Sequence, residues 1–253
     1  MKSTKLLFNT LAASLLSLSV SHAEFTWPRA NTPNADTLTY RNFDGSLEGD
    51  SGRLQLTALE TPTESGSKRL PAEPVFVSGP SNLGQAISLK PENILSTPKI
   101  KLAGAAFTMS FWVKLSGPGH IGVITNPGGK DEKSLSIGLK VDQAGKLLSS
   151  FKLGSSKWFN KTVSSDFLDG QWHHIAVVVK SDASGAGSNL KISDNGNVLI
   201  DEQVDGTAPE NFVVSLGAHP HEYYLPRAGL SAEMLVDELL IQGVALPEPH
   251  KPL

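Results

Sequence analysis

The sequence predicts an all-β protein, built as a two-sheet antiparallel sandwich of the jelly-roll type. Two observations carry this prediction. Residues 107–115 alternate between apolar and polar side chains, which is typical of a strand that turns one face to a core. Residues 175–179 are apolar without a break and follow a turn signal at Asp169 and Gly170. Such a run indicates a central strand with both faces covered.

Short strands with regular turn signals account for most of the remaining chain. We predict them at 37–40, 75–77, 86–89, 120–125, 134–141, 147–153, 190–193, 198–200, 212–216 and 234–241. Asn195 and Gly196 favour the positive φ angles of a tight hairpin turn. Residues 51–81 are rich in Gly, Pro, Ser and Thr, and we interpret them as a long surface excursion in which only 75–77 is extended.

The closing segment, residues 234–241, is ambiguous. Residues 231–240 contain good helix formers after an acceptable N-cap, so intrinsic propensity alone would favour a helix. We predict a strand instead, because a closing strand completes the meander of short strands that a sandwich requires.

The first 23 residues have the pattern of a secretory signal peptide. Lys2 and Lys5 precede an apolar stretch over 6–20, and small residues at 21–23 allow cleavage after Ala23. The stretch is too short and too polar to span a bilayer, so no membrane span is expected once it is removed. We therefore expect a secreted or periplasmic protein with an extended lead-in over 24–36 and one domain over 37–253.

The net charge and the cysteine content exclude several classes of protein. The chain carries 22 basic and 25 acidic residues, a net charge of −3, and this is not the footprint of a nucleic-acid-binding protein. Cysteine is absent. An exported protein without disulfides must rely on its core, or on a bound ion, for stability.

Five segments carry a resemblance to a known family. They are 43–47, 106–114, 169–177, the hairpin 191–199, and 236–241 with Leu246. In order and spacing these segments resemble the laminin G-like, concanavalin A-like lectin domains of secreted bacterial proteins. The resemblance covers residues 37–246 and implies the jelly-roll fold. It specifies an activity less well, since such domains include sugar binders, adhesive modules and enzyme appendages.

These observations favour a lectin-like binding module that recognises carbohydrate and is not an enzyme. The alternative is a structural or adhesive module that binds protein surfaces of the cell envelope or outside the cell. A glycan-degrading enzyme is less favoured, because glycanases of this class place acidic residues two apart on one strand. Here the pair two apart is Glu48 and Asp50, which flank a glycine in a turn, and the next alternate position is Gly52.

Candidate ligand-binding residues lie in two predicted loops. Trp158, just before the central strand, and the aromatic pair Tyr223 and Tyr224 offer faces against which a sugar ring stacks. Side chains beside them that can hydrogen-bond to hydroxyl groups are Asn160, His221 and Glu222. The alternative for both loops is ordinary solvent-facing packing. A zinc site at His219 and His221 would need a third ligand, and none is evident.

The resemblance also implies a structural calcium site. In laminin G-like domains the Asp of the early Phe-Asp-Gly turn and the Asp of the closing strand often lie together, and the matching residues are Asp44 and Asp237. Two carboxylates with turn carbonyls and a side-chain oxygen from Asn42 or Asp50 suit calcium. The alternative is that Asp44 caps its own turn and Asp237 faces solvent from an edge strand.

We expect the tryptophans and histidines near the central strand to have structural roles. We expect Trp112 and Trp172 to pack in the core or between the sheets. His173 and His174 are adjacent on a strand and so point to opposite faces. We expect His174 to be a hydrogen-bonded structural residue.

Overall fold

The computed structural model describes residues 36–47, 51–52, 56–60, 71–80, 84–102, 106–126, 135–153, 157–183, 186–206, 211–217 and 231–245. Within these ranges the chain forms two antiparallel sheets of nine and eight strands, which confirms the predicted all-β sandwich. We call them sheet A and sheet B.

Sheet A has the strand order β15-β14-β13-β8-β17-β1-β2, and β5 joins β17 to β4 beside this path. Its strands are β1 (Thr37–Arg41), β2 (Ser51–Gly52), β4 (Val75–Ser78), β5 (Gln85–Leu89), β8 (Ala106–Leu115), β13 (His173–Ser181), β14 (Gly187–Asp194), β15 (Asn197–Asp205) and β17 (Met234–Gln242).

Sheet B has the strand order β12-β11-β10-β9-β16-β6-β3, and β7 pairs with β16. Its strands are β3 (Thr57–Glu60), β6 (Asn93–Ser96), β7 (Ile100–Lys101), β9 (Gly119–Thr125), β10 (Leu135–Val141), β11 (Leu147–Leu153), β12 (Phe159–Val163) and β16 (Asn211–Leu216).

The core lies between the inner faces of the two sheets. The alternating residues of β8 that were predicted to face it are all buried: Phe107, Met109, Phe111, Val113 and Leu115. Phe107 stacks on Phe212 of sheet B at 4.7 Å between ring centroids, which joins the two sheets. β13 pairs with β8 on one side and β14 on the other, and residues 175–179 are buried throughout. The central strand is therefore as predicted.

The closing segment is a strand, as predicted. β17 pairs with β8, β1 and β5, and eight of its nine residues are buried. Burial and pairing of this extent outweigh the small intrinsic preference for a helix. The pairing with β1 also sets the first and last described strands side by side.

Sequence reasoning missed several short elements. Residues 51–81 contain β2 and β3 as well as β4, so the surface excursion is less irregular than expected. β6 and β7 were also missed. Phe159 begins β12 and does not lie in a loop. Trp172 lies just outside β13 and is only half-buried, so its assignment to the core was wrong.

We expect truncation of Trp112 to be far more damaging than truncation of Trp172. Trp112 is 1% exposed and packs on the ring of His174, with 4.7 Å between centroids. Trp112→Ala should lower the free energy of unfolding by about 3–5 kcal/mol. Trp172→Ala is the matched control and should cost less than half as much. Denaturant unfolding of both variants measures this, and equal losses would contradict it.

Candidate functional site

The first candidate site lies on β12, the edge strand of sheet B. Trp158, which directly precedes the strand, is 56% exposed, and Phe159 is 40% exposed. The Phe159 ring stacks on the buried Phe151 of β11 at 5.1 Å between centroids, so Phe159 points toward the interior of the sandwich. Because side chains alternate along extended chain, Trp158 and Asn160 belong to the opposite, outer face.

A hydrogen bond fixes the polar group beside this tryptophan. The Ser150 hydroxyl on β11 donates to Asn160 Oδ1 at 2.7 Å. The two residues are directly opposite in the register of β11 and β12. The bond orients the exposed Asn160 amide and leaves its nitrogen directed to the solvent side. The sequence indicated Trp158 and Asn160, but Ser150 could not be found without the strand register.

An ion pair links the edge strands of the two sheets beside the first site. Lys161 Nζ lies 2.7 Å from Glu202 Oε1 on β15, the edge strand of sheet A. The same ammonium lies 5.5 Å from the centroid of the Phe159 ring. Lys161 is thus held against the other sheet.

The other predicted ligand-binding residues are not described. His221, Glu222, Tyr223 and Tyr224 lie outside the described residues, as do Glu48 and Asp50, the acidic pair two positions apart. The structure therefore does not relate the two predicted loops to each other.

The second candidate site is formed around Asp44. The Gln85 backbone N–H donates to Asp44 Oδ1 at 2.7 Å, and Asn42 Nδ2 donates to Asp44 Oδ2 at 3.0 Å. Gly84 makes the first contact possible, because it has φ +83° and a Cβ on it would meet Asp44 Oδ1. Asp44 therefore ties the early turn to β5 and does not merely cap its own turn.

Asp237 completes this second site. It is fully buried on β17 and does not face solvent from an edge strand, which overturns that alternative. Asp237 Oδ1 accepts the Glu238 N–H at 2.7 Å, whereas Oδ2 has no hydrogen-bond partner within the described part of the chain. Burial raises the pKa of Asp237 to about 8, and the negative charges of Glu238 and Asp44 add to this rise.

The backbone around Asp44 and Asp237 is built to bring them together. The register of β17 against β8 shifts between Asp237 and Leu240, and Glu238 in this bulge has φ +50°. A Cβ on Gly79 would approach Asp237 Oδ2 to 3.1 Å, so Gly79 packs directly on the carboxylate. Two acidic side chains from the two ends of the described chain thus lie close enough to repel each other.

The chemistry of this second site fits a hard cation with few side-chain ligands. No group of three or more His, Asp or Glu side chains able to hold a metal occurs among the described residues. Calcium, however, also takes backbone carbonyl oxygens. A buried carboxylate oxygen without a partner is a position that a cation would satisfy.

A third polar cluster surrounds His173 at one end of β13. His173 Nδ1 lies 3.1 Å from both carboxylate oxygens of Asp194, and Nε2 lies 3.2 Å from Asp169 Oδ1. The ring also packs on the buried Phe167. Burial by itself lowers the pKa of His173, but the hydrogen bonds and charges of Asp194 and Asp169 outweigh it, and the pKa is raised above 6.5. This is a structural clamp between the segment before β13 and the β14–β15 hairpin.

A cleft of about 340 Å³ lies on the side of the sandwich where β4 and β5 meet β6. Pro71 and Val75 give it apolar walls, and Lys90 and Glu92 give it both signs of charge. Trp158 and Asn160, the predicted ligand-binding residues that the structure describes, do not line it.

Comparisons with known proteins agree on the fold. Residues 91–249 match the family model described as the concanavalin A-like lectin/glucanases superfamily. No curated protein matches the chain.

Within the described residues, no helix has the length and apolarity needed to cross a membrane.

Three solved structures illustrate the likeness. Domain 4 of AbnA, an extracellular arabinanase from Geobacillus stearothermophilus in complex with arabinotriose, is 20% identical with a TM-score of 0.60, over 86% of this chain and 96% of that one. The binding domain of botulinum neurotoxin serotype D/C is 15% identical with a TM-score of 0.53, over 83% and 49%. The CBM2 module of the evolved Dit of Lactobacillus casei BL23 phage J-1 is 10% identical with a TM-score of 0.50, over 83% and 96%.

We expect the His173 clamp to stabilise the protein more at acidic than at alkaline pH. Because the folded-state pKa of His173 is raised, its contribution is fully present below the unfolded-state pKa, near 6.5, and is lost as pH rises through the folded-state value. His173→Gln should therefore cost about 1–3 kcal/mol at pH 5.5 and clearly less at pH 8.5. Melting curves at both pH values measure this, with His120→Gln on β9 as the control. An equal loss at the two pH values would contradict a charged clamp.

Proposed function

The chain belongs to the concanavalin A-like lectin/glucanase superfamily, and we propose that it is a secreted or periplasmic lectin-like module that binds carbohydrate and is not an enzyme. The observation that carries this proposal is the exposed Trp158 beside the hydrogen-bonded pair of Asn160 and Ser150. These residues lie on an open sheet face, at an edge that no other described strand covers.

The side chains of Trp158 and Asn160 match the apolar face and the polar hydroxyl groups of a sugar ring, respectively. The C–H face of a pyranose or furanose ring is apolar and stacks on an indole ring, whereas its hydroxyl groups need hydrogen-bond partners. Trp158 supplies the first contact. The Asn160 amide supplies the second, and its orientation is already fixed by Ser150 in the absence of ligand, which reduces the entropy lost on binding.

The neighbouring structures support a binding role at the level of the fold. The AbnA domain is in complex with arabinotriose, so one protein of this fold holds an oligosaccharide. At 20% identity the site does not carry over residue by residue, and the proposal for this chain depends on Trp158 and Asn160.

The environments of Asp44, Asp169, Asp194 and Asp237 support a non-catalytic role for these four carboxylates. A retaining or inverting glycosidase needs two carboxyl groups on either side of a sugar-sized gap. Asp44 and the buried Asp237 instead accept hydrogen bonds from backbone N–H groups, and Asp169 and Asp194 hold His173. These carboxylates have structural partners and do not flank an open cleft.

A protein-binding module of the cell envelope is the second candidate, and the exposed edge favours it. β12 leaves one row of backbone hydrogen-bonding groups unpaired among the described strands, next to exposed aromatic side chains. Such an edge can accept a strand from another protein. Binding that depends on β12 backbone pairing, and not on the Trp158 ring, would favour this candidate.

Trp158→Ala should weaken glycan binding roughly ten-fold or more, because it removes the stacking surface. The melting temperature should not change, since more than half of the Trp158 side chain is exposed. A glycan array run with and without calcium identifies the ligand, and calorimetric titration measures the dissociation constants. Val198→Ala, on the edge of sheet A and 49% exposed, is the matched control and should bind as the wild type does. A Trp158→Ala variant with wild-type affinity, or the absence of any glycan ligand, would overturn the proposal.

We also propose that a calcium ion is held by Asp44 and Asp237. An ion at this position would remove the repulsion between the two carboxylates and satisfy Asp237 Oδ2. The backbone carbonyls of Phe43 and Gly84, which adjoin residues of the site, are further oxygens that could complete the coordination. Bound there, calcium would tie β1 and its following turn to β17.

Calcium should raise the melting temperature, and chelator should reverse the effect. At a concentration 100 times the dissociation constant the stabilisation is about 2.7 kcal/mol, which for a domain of this size raises Tm by roughly 5–10 °C. Asp44→Asn and Asp237→Asn should each abolish the response. Asp205→Asn, an exposed acidic residue on β15, should retain it. Thermal melts that are indifferent to calcium in the wild type would end this proposal without affecting the one on Trp158.

A further inference from the structure

The three strands at the free side of sheet B carry an unusual charge. Residues 135–163, which include β10, β11 and β12, contain five lysines and one acidic residue, whereas the whole chain has a net charge of −3. The acidic residue, Asp142, lies in the turn between β10 and β11, where its Oδ1 accepts the N–H groups of Ala144 and Lys146. The strands themselves contribute lysine and no carboxylate.

Two of these lysines share the outer face with Trp158 and Asn160, and a third adjoins Trp158 in the chain. Lys152 is the next residue after Phe151, which pairs with Phe159, so it lies across from Trp158 on the outer face. Lys140 lies on the outer face of β10, since its neighbours Leu139 and Val141 face the core. Lys157 directly precedes Trp158. We refer to Lys140, Lys152, Lys157, Trp158 and Asn160 as the basic face.

The lysines of the basic face differ from Lys161 and Lys191 in their partners. Lys161 is paired with Glu202, and Lys191 of sheet A lies 3.4 Å from Asp201. In the described part of the chain no carboxylate forms an ion pair with Lys140, Lys152 or Lys157. Their charges are therefore available to a ligand, and together they create a positive potential around Trp158.

Among the described residues, the surface between these lysines is open and flat. Gly138 on β10 is opposite Ser150, which is opposite Asn160, so the middle row of the face runs glycine, serine, asparagine. A Cβ on Gly138 would meet only the Ser150 carbonyl oxygen, at 3.8 Å. A ligand can thus lie across the three strands without meeting a large side chain.

Resting on the proposed function, we propose that the natural ligand of this module is an anionic polysaccharide that bears carboxylate or sulfate groups. Its sugar rings stack on Trp158 and its acidic groups contact the lysines of the basic face. Lys140 and Lys152 are separated by four residues along the sheet, a distance of roughly 14 Å. A ligand that contacts both must have several sugar units, which favours a polymer over a monosaccharide or an inorganic anion.

The combination of groups favours a polysaccharide over other polyanions. One exposed indole beside an oriented amide matches a sugar ring with hydroxyl groups. An anionic lipid surface would also meet the acidic residues that dominate the rest of the chain, and these would repel it. Nucleic acid and lipid surfaces are therefore alternatives that the experiment must separate.

The test compares charged polymers with their neutral counterparts on the full-length mature protein. The probes are polygalacturonate against its carboxyl-reduced form, and dextran sulfate against dextran. In 50 mM NaCl at least one charged polymer should bind roughly ten-fold more tightly than its neutral counterpart, and the difference should shrink at 500 mM, where surface charges are screened. The two pairs distinguish carboxylate from sulfate recognition.

Two sets of variants locate the binding. The triple variant Lys140→Glu, Lys152→Glu, Lys157→Glu should weaken binding of the charged polymer roughly ten-fold or more. The control is Lys99→Glu, Lys101→Glu, Lys180→Glu, which has the same net charge and changes exposed lysines elsewhere; its affinity should stay within about two-fold of the wild type. Gly138→Gln fills the open row and should weaken binding of charged and neutral polymers alike.

The outcomes separate this inference from the proposed function. Equal affinity for charged and neutral polymers, lost in Trp158→Ala but kept in the lysine triple variant, would overturn the anionic ligand and leave the lectin function in place. Failure of every polymer to bind would overturn the anionic ligand, and it would overturn the lectin function as well if the glycan array also finds no ligand. Binding of single-stranded DNA or of phosphatidylglycerol vesicles as tight as that of the charged polymer, and unaffected by Trp158→Ala, would overturn the inference by showing a general affinity for polyanions.

Discussion

The pairing of β17 with three other strands is the constraint on which the described fold depends. β17 joins β8 to β1 and also pairs with β5, so it links the centre of sheet A to the first described strand and to the β4–β5 hairpin. Its inner face contributes Val236, Leu239 and Ile241 to the core. The bulge after Asp237 is what allows one strand to keep this inner face buried while it presents two consecutive acidic residues to the interior.

This bulge also explains why an unfavourable arrangement of charge persists. A buried carboxylate whose pKa is raised to about 8 destabilises the protein at neutral pH, because folding there must either protonate the group or bury its charge. The local backbone is strained as well, since Glu238 and Phe43 both have positive φ angles without being glycine. Strain and charge in one place are the usual signs of a functional position, and a cation would offset the charge.

The sequence was informative where one periodicity or one composition dominates a segment. β8 and β13 were predicted correctly because alternation in the first and unbroken apolar character in the second admit few other interpretations. β12 was missed because Phe159, Asn160 and Lys161 show no apolar alternation, and it exists as a strand only through its pairing with β11. Trp172 was misassigned because it adjoins a buried strand, and the sequence does not reveal that the strand begins one residue later.

The same holds for the site residues: a local pattern can reveal a single residue, but not its contact with a residue far away in the chain. Asp44 and Asp237 were linked only through the resemblance to a family, because no local pattern connects residues so far apart in the chain. The partner of Asn160, Ser150, depends on the register of two strands. The basic face was not apparent either, since a net charge of −3 averages over a chain whose acidic and basic residues occupy different strands.

Two edge strands, β12 of sheet B and β15 of sheet A, lie on the same side of the sandwich and differ in charge. This difference favours approach of a ligand to β12. β15, the edge of sheet A, carries Asp201, Glu202 and Asp205, and such charge protects an edge strand from association with another chain. The charge on β12 is Lys161, and its pairing with Glu202 draws the ammonium toward sheet A. The ion pair therefore neutralises the one group of β12 that would protect it in the same way. What remains exposed on that side is the aromatic and amide surface of Trp158 and Asn160, near lysines without an ion pair among the described residues. The edge that is least protected against contact is therefore also the one that carries the residues of the proposed sugar site.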